Sequence, residues 1–327
     1  MGEPASGRPD GEALTYGGYL ALDRLLDCQE PRTRAHDELL FVIIHQVYEL
    51  WFKQILHEAD LLQRRLEDGD SAGALGTARR IAKILKTVVG QLDVLETMTP
   101  RQFASFRDAL GTSSGFQSAQ FRQIEAVLGR RTFPASDLRD DEGLKAAVAR
   151  RSLMDSLMRY LSAHGYPVPD AALRRDPSAP WRSDPGVQEA LLKVYADDGG
   201  PAAEVCEALV DIDEGVQEWR YRHVKMVERT IGAKLGTGGS AGADYLRSTL
   251  FVPAFPDLWE VRSRIDETVT TEPSAATERS AATETPAATE ASADTGRSAD
   301  TGTSADTGRS AANGTSAGSE GSGDDAE

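Results

Sequence analysis

Cysteine is scarce in this chain: Cys28 and Cys206 are the two examples among 327 residues. They form no CxxC pair, so the sequence predicts neither a disulfide framework nor a thiolate metal site. Alternating runs of Val, Ile and Thr, which are typical of strands, are also few, although 40% of the residues are hydrophobic. Apolar residues without strand patterning favour an all-α protein.

Basic residues are outnumbered, with 36 Lys and Arg against 52 Asp and Glu and a formal net charge of −16. Residues 267–327 account for −9 of that charge, with twelve acidic residues and three arginines. The remaining chain is mildly acidic and carries no pattern typical of a nucleic-acid surface. No segment approaches about 18 uninterrupted apolar residues, and the first residues lack the apolar stretch of a signal peptide. We therefore expect a cytoplasmic protein with no membrane or nucleic-acid partner.

Composition divides the chain into three parts. Residues 1–12 are polar and contain Gly and Pro, and we expect a flexible N-terminus there. Residues 13–266 carry the helical patterns of one domain. Residues 267–327 contain a hexapeptide repeat, with copies such as SAATER and SADTGR, that lacks the bulky aliphatic residue of a β-helix turn. We predict a disordered low-complexity tail, because such residues bury too little apolar surface to offset their ordering entropy.

Apolar residues at helical spacing predict three long helices within residues 13–266. They run from about Ala35 to Glu67, from Ser71 to Met98 and from Ala202 to Gly232. The first and the third each carry one histidine in the apolar stripe, His45 and His223. Two histidines in such positions on two different helices are the unusual feature of the sequence.

Three interpretations of this histidine pair follow from the residues alone. Each histidine could be a core residue whose polar atoms are satisfied by a neighbour. Both could belong to a carboxylate metal site, although such sites in helical bundles use Glu-x-x-His pairs and neither His45 nor His223 has a Glu three residues earlier. A haem could also lie between the helices, with one histidine on the iron and the other lining the opposite face. The pattern itself does not decide between them.

Five blocks of the sequence resemble the tryptophan 2,3-dioxygenase family. In order they are YGGYLALDRLL, HDELLFVIIHQVYELWFKQILHE, FRDALGTSSGFQSAQFRQIE, WRYRHVKMVERTIG and GTGGSAG. The resemblance runs from about Tyr16 to Arg264 and is thin between Arg130 and Arg182. It implies an all-α helical bundle enclosing a b-type haem. It also implies that the protein inserts both atoms of O2 across the indole C2–C3 bond of L-tryptophan, giving N-formyl-L-kynurenine.

The resemblance also implies which residues hold the haem. His223, in WRYRH, corresponds to the proximal ligand of the iron. Ser114 and Gly115, in GTSSG, correspond to residues close to the haem. A non-catalytic sensor of haem or indole on the same fold is the alternative function.

The substrate residues implied by the resemblance lie in the other blocks. His45 corresponds to a distal residue near the indole N–H that positions the substrate and takes part in catalysis, and Phe41 walls the indole pocket. Arg107 clamps the substrate carboxylate, a task that suits a planar guanidinium. Thr237 binds the ammonium or carboxylate group, in a glycine loop where Ala241 replaces a serine common in the family.

Tyr16 and Tyr19 complete the pocket by the same resemblance, and in this family they typically come from a neighbouring subunit. The implied assembly is a homotetramer built as a dimer of dimers. L-Tryptophan and O2 are the implied small-molecule partners.

Overall fold

The structure, a computed structural model, describes residues 15–197, 199–234, 236 and 243–265. Every regular element within these residues is a helix, which confirms the predicted all-α class for the described part of the chain. Short 3-10 helices occur at Arg107–Leu110, Gly115–Gln117 and Val261–Arg264. The α-helices are α1 (Tyr16–Leu20), α2 (Leu22–Leu26), α3 (His36–Glu67), α4 (Ser71–Leu95), α5 (Pro100–Ala104), α6 (Ala119–Leu128), α7 (Ala135–Asp140), α8 (Glu142–Ala149), α9 (Leu153–Ala163), α10 (Asp170–Leu173), α11 (Pro185–Ala196), α12 (Pro201–Ile231), α13 (Ala243–Ser248) and α14 (Pro256–Glu260).

Helix α3 begins where a carboxylate satisfies the backbone that precedes it. Glu38, which is buried, accepts hydrogen bonds from the N–H groups of Arg32 and Thr33, both at 2.7 Å, and from the Thr33 hydroxyl at 2.5 Å. An acidic side chain in the first turn also faces the positive end of the helix dipole. The helix ends at a turn in which Gly69 adopts a φ of 74°, a conformation that glycine reaches without strain.

Helix α4 returns antiparallel to α3 and supplies the centre of the bundle. The Asp70 side chain caps its first turn by accepting the Gly73 N–H. The two helices are joined by a hydrogen bond from the Tyr48 hydroxyl to the Val88 carbonyl and by an ion pair between Glu58 and Arg80. Apolar residues spaced three or four apart give α4 one buried stripe, which includes Ala74, Ala78, Ile81, Leu85, Val88 and Leu92.

Helix α12 runs parallel to α4, as the order of the ion pairs between them shows. Arg79 pairs with Glu204, Lys86 with Glu218, Asp93 with Arg222 and Glu96 with both Arg222 and Arg229. Gly215 allows the close contact between the two helices. A Cβ atom at Gly215 would lie 3.1 Å from Leu85 Cδ1, which is tighter than ordinary packing.

Two buried carboxylates join the last described segment to the bundle. Asp213, on α12, accepts hydrogen bonds from the Ala254 and Phe255 N–H groups and from the Trp259 indole. Asp257 likewise accepts from the Trp181 indole and from the Asp184 N–H. Each carboxylate satisfies several donors at once, so removing either would leave buried N–H groups without partners.

The structure differs from the sequence expectations mainly in the short elements. Residues 16–26 form two short helices, α1 and α2, because Ala21 between them adopts a left-handed φ of 51°. Helices α7 and α8 lie between Arg130 and Arg182, where the sequence resemblance is thin. The predicted flexible residues 1–12 and the predicted disordered tail 267–327 lie outside the described residues.

Candidate functional site

A cavity opens at the end of the bundle where α3 begins and α12 ends. It encloses about 840 Å³, part of it open to solvent. Arg107 is the one lining residue with a permanent formal charge among those that the structure describes. The lining residues are Phe41, His45, Leu95, Met98, Phe103, Arg107, Ser114, Gly115, His223, Met226, Val227, Thr230, Ile231, Gly236 and Leu246. A mostly apolar wall with few polar groups is typical of a pocket for an apolar ring.

His45 faces this cavity from the first half of α3. Its Nδ1 atom lies 2.7 Å from the Phe41 carbonyl oxygen. Because a carbonyl can only accept, Nδ1 carries the proton, and Nε2 is left with a lone pair. Burial lowers the pKa of His45, while the Phe41 carbonyl and the charge of Glu49 oppose that shift. His45 is therefore a neutral hydrogen-bond acceptor at neutral pH.

His223 faces the cavity from the last third of α12. Burial lowers its pKa to about 4, and the nearby His45 adds to the shift. Its ring lies 5.0 Å from that of Trp219, one helical turn earlier, and its Nδ1 atom is buried with no hydrogen-bond partner among the described residues. A neutral, half-buried imidazole on an apolar wall has the chemistry of a ligand of haem iron.

A carboxylate–histidine metal centre is not found among the described residues. No group of three or more His, Cys, Asp or Glu side chains in the described part of the chain could hold a metal ion. Of the three interpretations of the histidine pair, the structure therefore offers no support for this one in the residues it describes.

The wall beside His45 is aromatic. The Phe41 ring centroid lies 4.1 Å from that of His45, and 5.8 Å from that of Phe103. Phe103 comes from α5 and also lines the cavity. Arg107 follows four residues later, as the first residue of a 3-10 helix, so one short segment supplies both an aromatic wall and a cation.

The structure brings together six of the nine residues that the resemblance assigns to the site. Phe41, His45, Arg107, Ser114, Gly115 and His223 all line the cavity. Tyr16 and Tyr19 do not line it in this single chain: they lie on α1 with 76% and 72% of their surface exposed. Thr237 lies outside the described residues, next to Gly236, which does line the cavity.

Sequence reasoning missed the apolar residues that shape the cavity. Met226 and Thr230 lie three and seven positions after His223, so they share its helix face. That spacing identifies the face but not whether it meets another helix or a cavity. The other lining residues without a predicted role in the site are Leu95, Met98, Phe103, Val227, Ile231, Gly236 and Leu246.

Comparison with known proteins places the chain in a family. A family model described as tryptophan 2,3-dioxygenase matches residues 4–138 and 187–265, which is more than half of the chain. The chain belongs to the tryptophan 2,3-dioxygenase family. The unmatched residues 139–186 include most of the stretch in which the sequence resemblance is thin.

Curated relatives agree with the family model. The tryptophan 2,3-dioxygenase of Anaeromyxobacter sp. (strain K) is 60% identical over 263 residues, covering 77% of this chain and 97% of the relative. That of Herpetosiphon aurantiacus is 52% identical over 259 residues, with 77% and 98% covered. That of Caulobacter vibrioides is 45% identical over 259 residues, with the same two shares covered.

Proposed function

We propose that this protein is a haem-dependent dioxygenase that cleaves the indole C2–C3 bond of L-tryptophan and gives N-formyl-L-kynurenine. The observation that carries the proposal is the pair of neutral histidines on α3 and α12 that face one apolar cavity, in a chain of this family. The relatives bear the name of the catalytic dioxygenase, and nothing favours the alternative of a non-catalytic sensor.

In this proposal His223 would ligate the iron of a haem b, and Ser114 and Gly115, which line the same cavity, would help to hold the haem. The family is haem-dependent. When bound, the haem supplies the iron chemistry by which O2 reacts with the indole. The chain supplies a neutral imidazole at His223 and an apolar cavity wall that keeps water away from the reacting ring.

His45 and Phe41 position the indole. Since His45 Nδ1 is committed to the Phe41 carbonyl, Nε2 is left to accept the indole N–H. The same hydrogen bond holds the imidazole ring against Phe41, which limits how the substrate ring can tilt. His45 in this arrangement fixes the position of the indole proton, and that is the sense in which we propose it as catalytic.

Arg107 and Thr237 bind the polar end of the amino acid. A guanidinium can hold a carboxylate through two parallel hydrogen bonds, which sets the direction of the substrate as well as its affinity. Arg107 lines the same cavity as Phe41 and His45, so it can receive the other end of the molecule.

We propose that Tyr16 and Tyr19 complete the site of a neighbouring subunit in a homotetramer assembled as a dimer of dimers. Helices α1 and α2 bury none of their residues against their own chain, and Leu20, Leu25 and Leu26 are exposed beside the two tyrosines. Apolar side chains in that number on two short helices fit a surface that is covered in the assembly. A chain that begins after Glu30 would then retain the cavity and lose activity.

We also propose the division of the chain into a flexible segment 1–12, a helical domain 13–266 and a low-complexity tail 267–327. We further propose a cytoplasmic location with no nucleic-acid or membrane partner.

Helix α3 is long and apolar enough to cross a membrane by length and composition. Its contacts support a different role, because Tyr48, Phe52, Ile55 and Leu62 pack into the common core with α4.

The test is the fate of the oxygen atoms. The purified protein, supplied with haem during expression, is reduced and given L-tryptophan under ¹⁸O2, and the product is analysed by mass spectrometry. We expect N-formyl-L-kynurenine carrying label at both new oxygen positions. A haem-loaded protein that binds L-tryptophan without consuming O2 would refute catalysis and favour a sensor.

A further inference from the structure

We propose that Phe106 is a positioning residue. It holds the indole wall, formed by Phe41 and Phe103, and the carboxylate clamp, Arg107, in one fixed geometry. The inference rests on the proposed function, because it concerns how L-tryptophan is bound at that same site. Phe106 does not line the cavity and is 1% exposed. It acts on the substrate through the residues that do line the cavity.

Three phenylalanine rings pack together behind His45. The Phe106 centroid lies 5.6 Å from that of Phe41 and 5.4 Å from that of Phe103, with interplanar angles of 61° and 82°. These are edge-to-face contacts, the arrangement that aromatic quadrupoles favour. Phe41 and Phe103 form part of the cavity wall, and the buried Phe106 ring is the support that both share.

The backbone of Phe106 is held just as closely. Its N–H donates to the Phe103 carbonyl at 3.3 Å, and its carbonyl accepts the Ala109 N–H at 3.0 Å. Phe106 directly precedes the 3-10 helix Arg107–Leu110, of which Arg107 is the first residue. A 3-10 helix of four residues has little stability of its own, so its location depends on the buried side chain at its start.

One buried ring therefore links two halves of the site that bind opposite ends of the same molecule. The indole and the carboxylate of L-tryptophan are joined by a short side chain, so the wall and the clamp must keep a matching separation. Small displacements of positioned groups carry large penalties in affinity and rate. A ligand that lacks the carboxylate depends only on the wall.

The experiment compares Phe106→Leu with wild type, using the haem-loaded full-length protein and calorimetric binding of L-tryptophan and of tryptamine, which has no carboxylate. Leucine keeps an apolar side chain at the position and removes the aromatic edge contacts. We expect the Kd for L-tryptophan to rise about tenfold and that for tryptamine about twofold. KM for L-tryptophan should follow the Kd, while kcat falls by less than about threefold.

A double-mutant cycle with Arg107→Ala tests whether Phe106 acts through the clamp. If it does, Phe106→Leu weakens L-tryptophan binding in the Arg107→Ala background only as much as it weakens tryptamine binding in wild type. Phe255→Leu is the matched control, because Phe255 is also fully buried, also precedes a short helix and does not line the cavity. It should leave both Kd values unchanged.

Several results would overturn the inference. One is equal weakening of L-tryptophan and tryptamine by Phe106→Leu, and another is full additivity of Phe106→Leu with Arg107→Ala. The third is a loss of affinity in Phe255→Leu as large as in Phe106→Leu, which would mean general loosening of the fold. If wild type itself binds no L-tryptophan, the proposed function and this inference fail together, whereas an active wild type with an unaffected Phe106→Leu rejects the inference alone.

Discussion

The two ends of the helical bundle are built from the same three helices and differ in how completely these helices pack. In α12, twelve residues are buried, and eleven of them lie between Ala202 and Val216. Beyond Val216 the buried one is Val224, and the cavity is lined from this helix by His223, Met226, Val227, Thr230 and Ile231. Helix α3 runs in the opposite direction, so its first half lines the cavity and its second half is packed. Ala59, Leu62 and Leu66 in that second half are buried in the core.

Stability and binding are therefore located at opposite ends of the same helices. At the packed end, Gly215 lets α4 and α12 approach closely and the side chains interlock. At the open end, the ion pairs of Asp93 and Glu96 with Arg222 hold the same two helices together at the surface while the interior is left as a cavity. Substitutions at the two ends should therefore affect different measurements.

The largest expected effect is at the open end. His223→Ala should abolish stable haem binding, because the neutral imidazole that we assign to the iron is gone. The absorption spectrum of the purified variant should lack a Soret band. His57→Ala is the control, since His57 is exposed on α3 and far along the helix from the cavity residues. A variant at His223 that retains normal haem content would contradict the assignment of the ligand.

The second largest effect is expected for Arg107→Ala, on KM for L-tryptophan. The substrate carboxylate would lose its charged partner, at a cost of about 2–5 kcal/mol, so KM for L-tryptophan should rise at least about thirtyfold. Steady-state kinetics measures this change, with Arg101→Ala, an exposed arginine on α5, as the control. Unchanged KM in Arg107→Ala would remove this residue from the site.

The sequence predicts these open-end residues for a specific reason. His45, His223 and Arg107 are polar residues within or beside apolar patterns, and their blocks resemble a known family. The three long helices were also predicted within a few residues of their ends, because α3, α4 and α12 have strong apolar periodicity. Helices α7 and α8 could not be predicted in the same way, because their stretch has weak apolar periodicity and contains Pro134 and Gly143.

The rest of the site could not be predicted because it depends on packing between distant segments. Met226 and Thr230 follow the same spacing as core residues, and the spacing does not show that they line a cavity. The roles of Leu95 and Met98 likewise depend on where α4 ends relative to α12. The Phe106 side chain has no polar atom by which a sequence pattern would single it out. Its proposed role follows from its ring contacts with Phe41 and Phe103.

At the packed end, Leu209→Ala should lower the free energy of unfolding without affecting substrate binding. Leu209 is fully buried on α12, and truncation of such a residue costs about 2–5 kcal/mol through lost burial and the cavity left behind. Urea unfolding measures the loss, and KM for L-tryptophan should stay within about twofold of wild type. A large rise in KM would show that the two ends of α12 are coupled.

The smallest expected effect is the pH dependence of the haem-free protein. Burial lowers the pKa of His223 from an ordinary 6.5 to about 4 in the folded state, so the unfolded chain binds its proton first as the pH falls. The stability associated with neutral His223 is therefore complete above about pH 6.5 and is lost as the pH falls towards 4. Allowing for partial exposure of the ring, we expect the free energy of unfolding to fall by about 2 kcal/mol over this pH range.

Urea unfolding of the haem-free protein across this pH range measures the loss. His223→Leu cannot be protonated at this position, and its stability should fall less over the same range. Equal slopes for wild type and His223→Leu would mean that His223 is already solvated in the haem-free protein.

The most direct test of the account is the absorption spectrum of the reduced wild-type protein with and without L-tryptophan. If the cavity between His45 and His223 holds a haem with the substrate beside it, the protein has a Soret band that shifts when L-tryptophan is added. A protein that is expressed with ample haem and is nevertheless colourless, or whose Soret band does not respond to L-tryptophan, would contradict the assignment of the open end as the catalytic site.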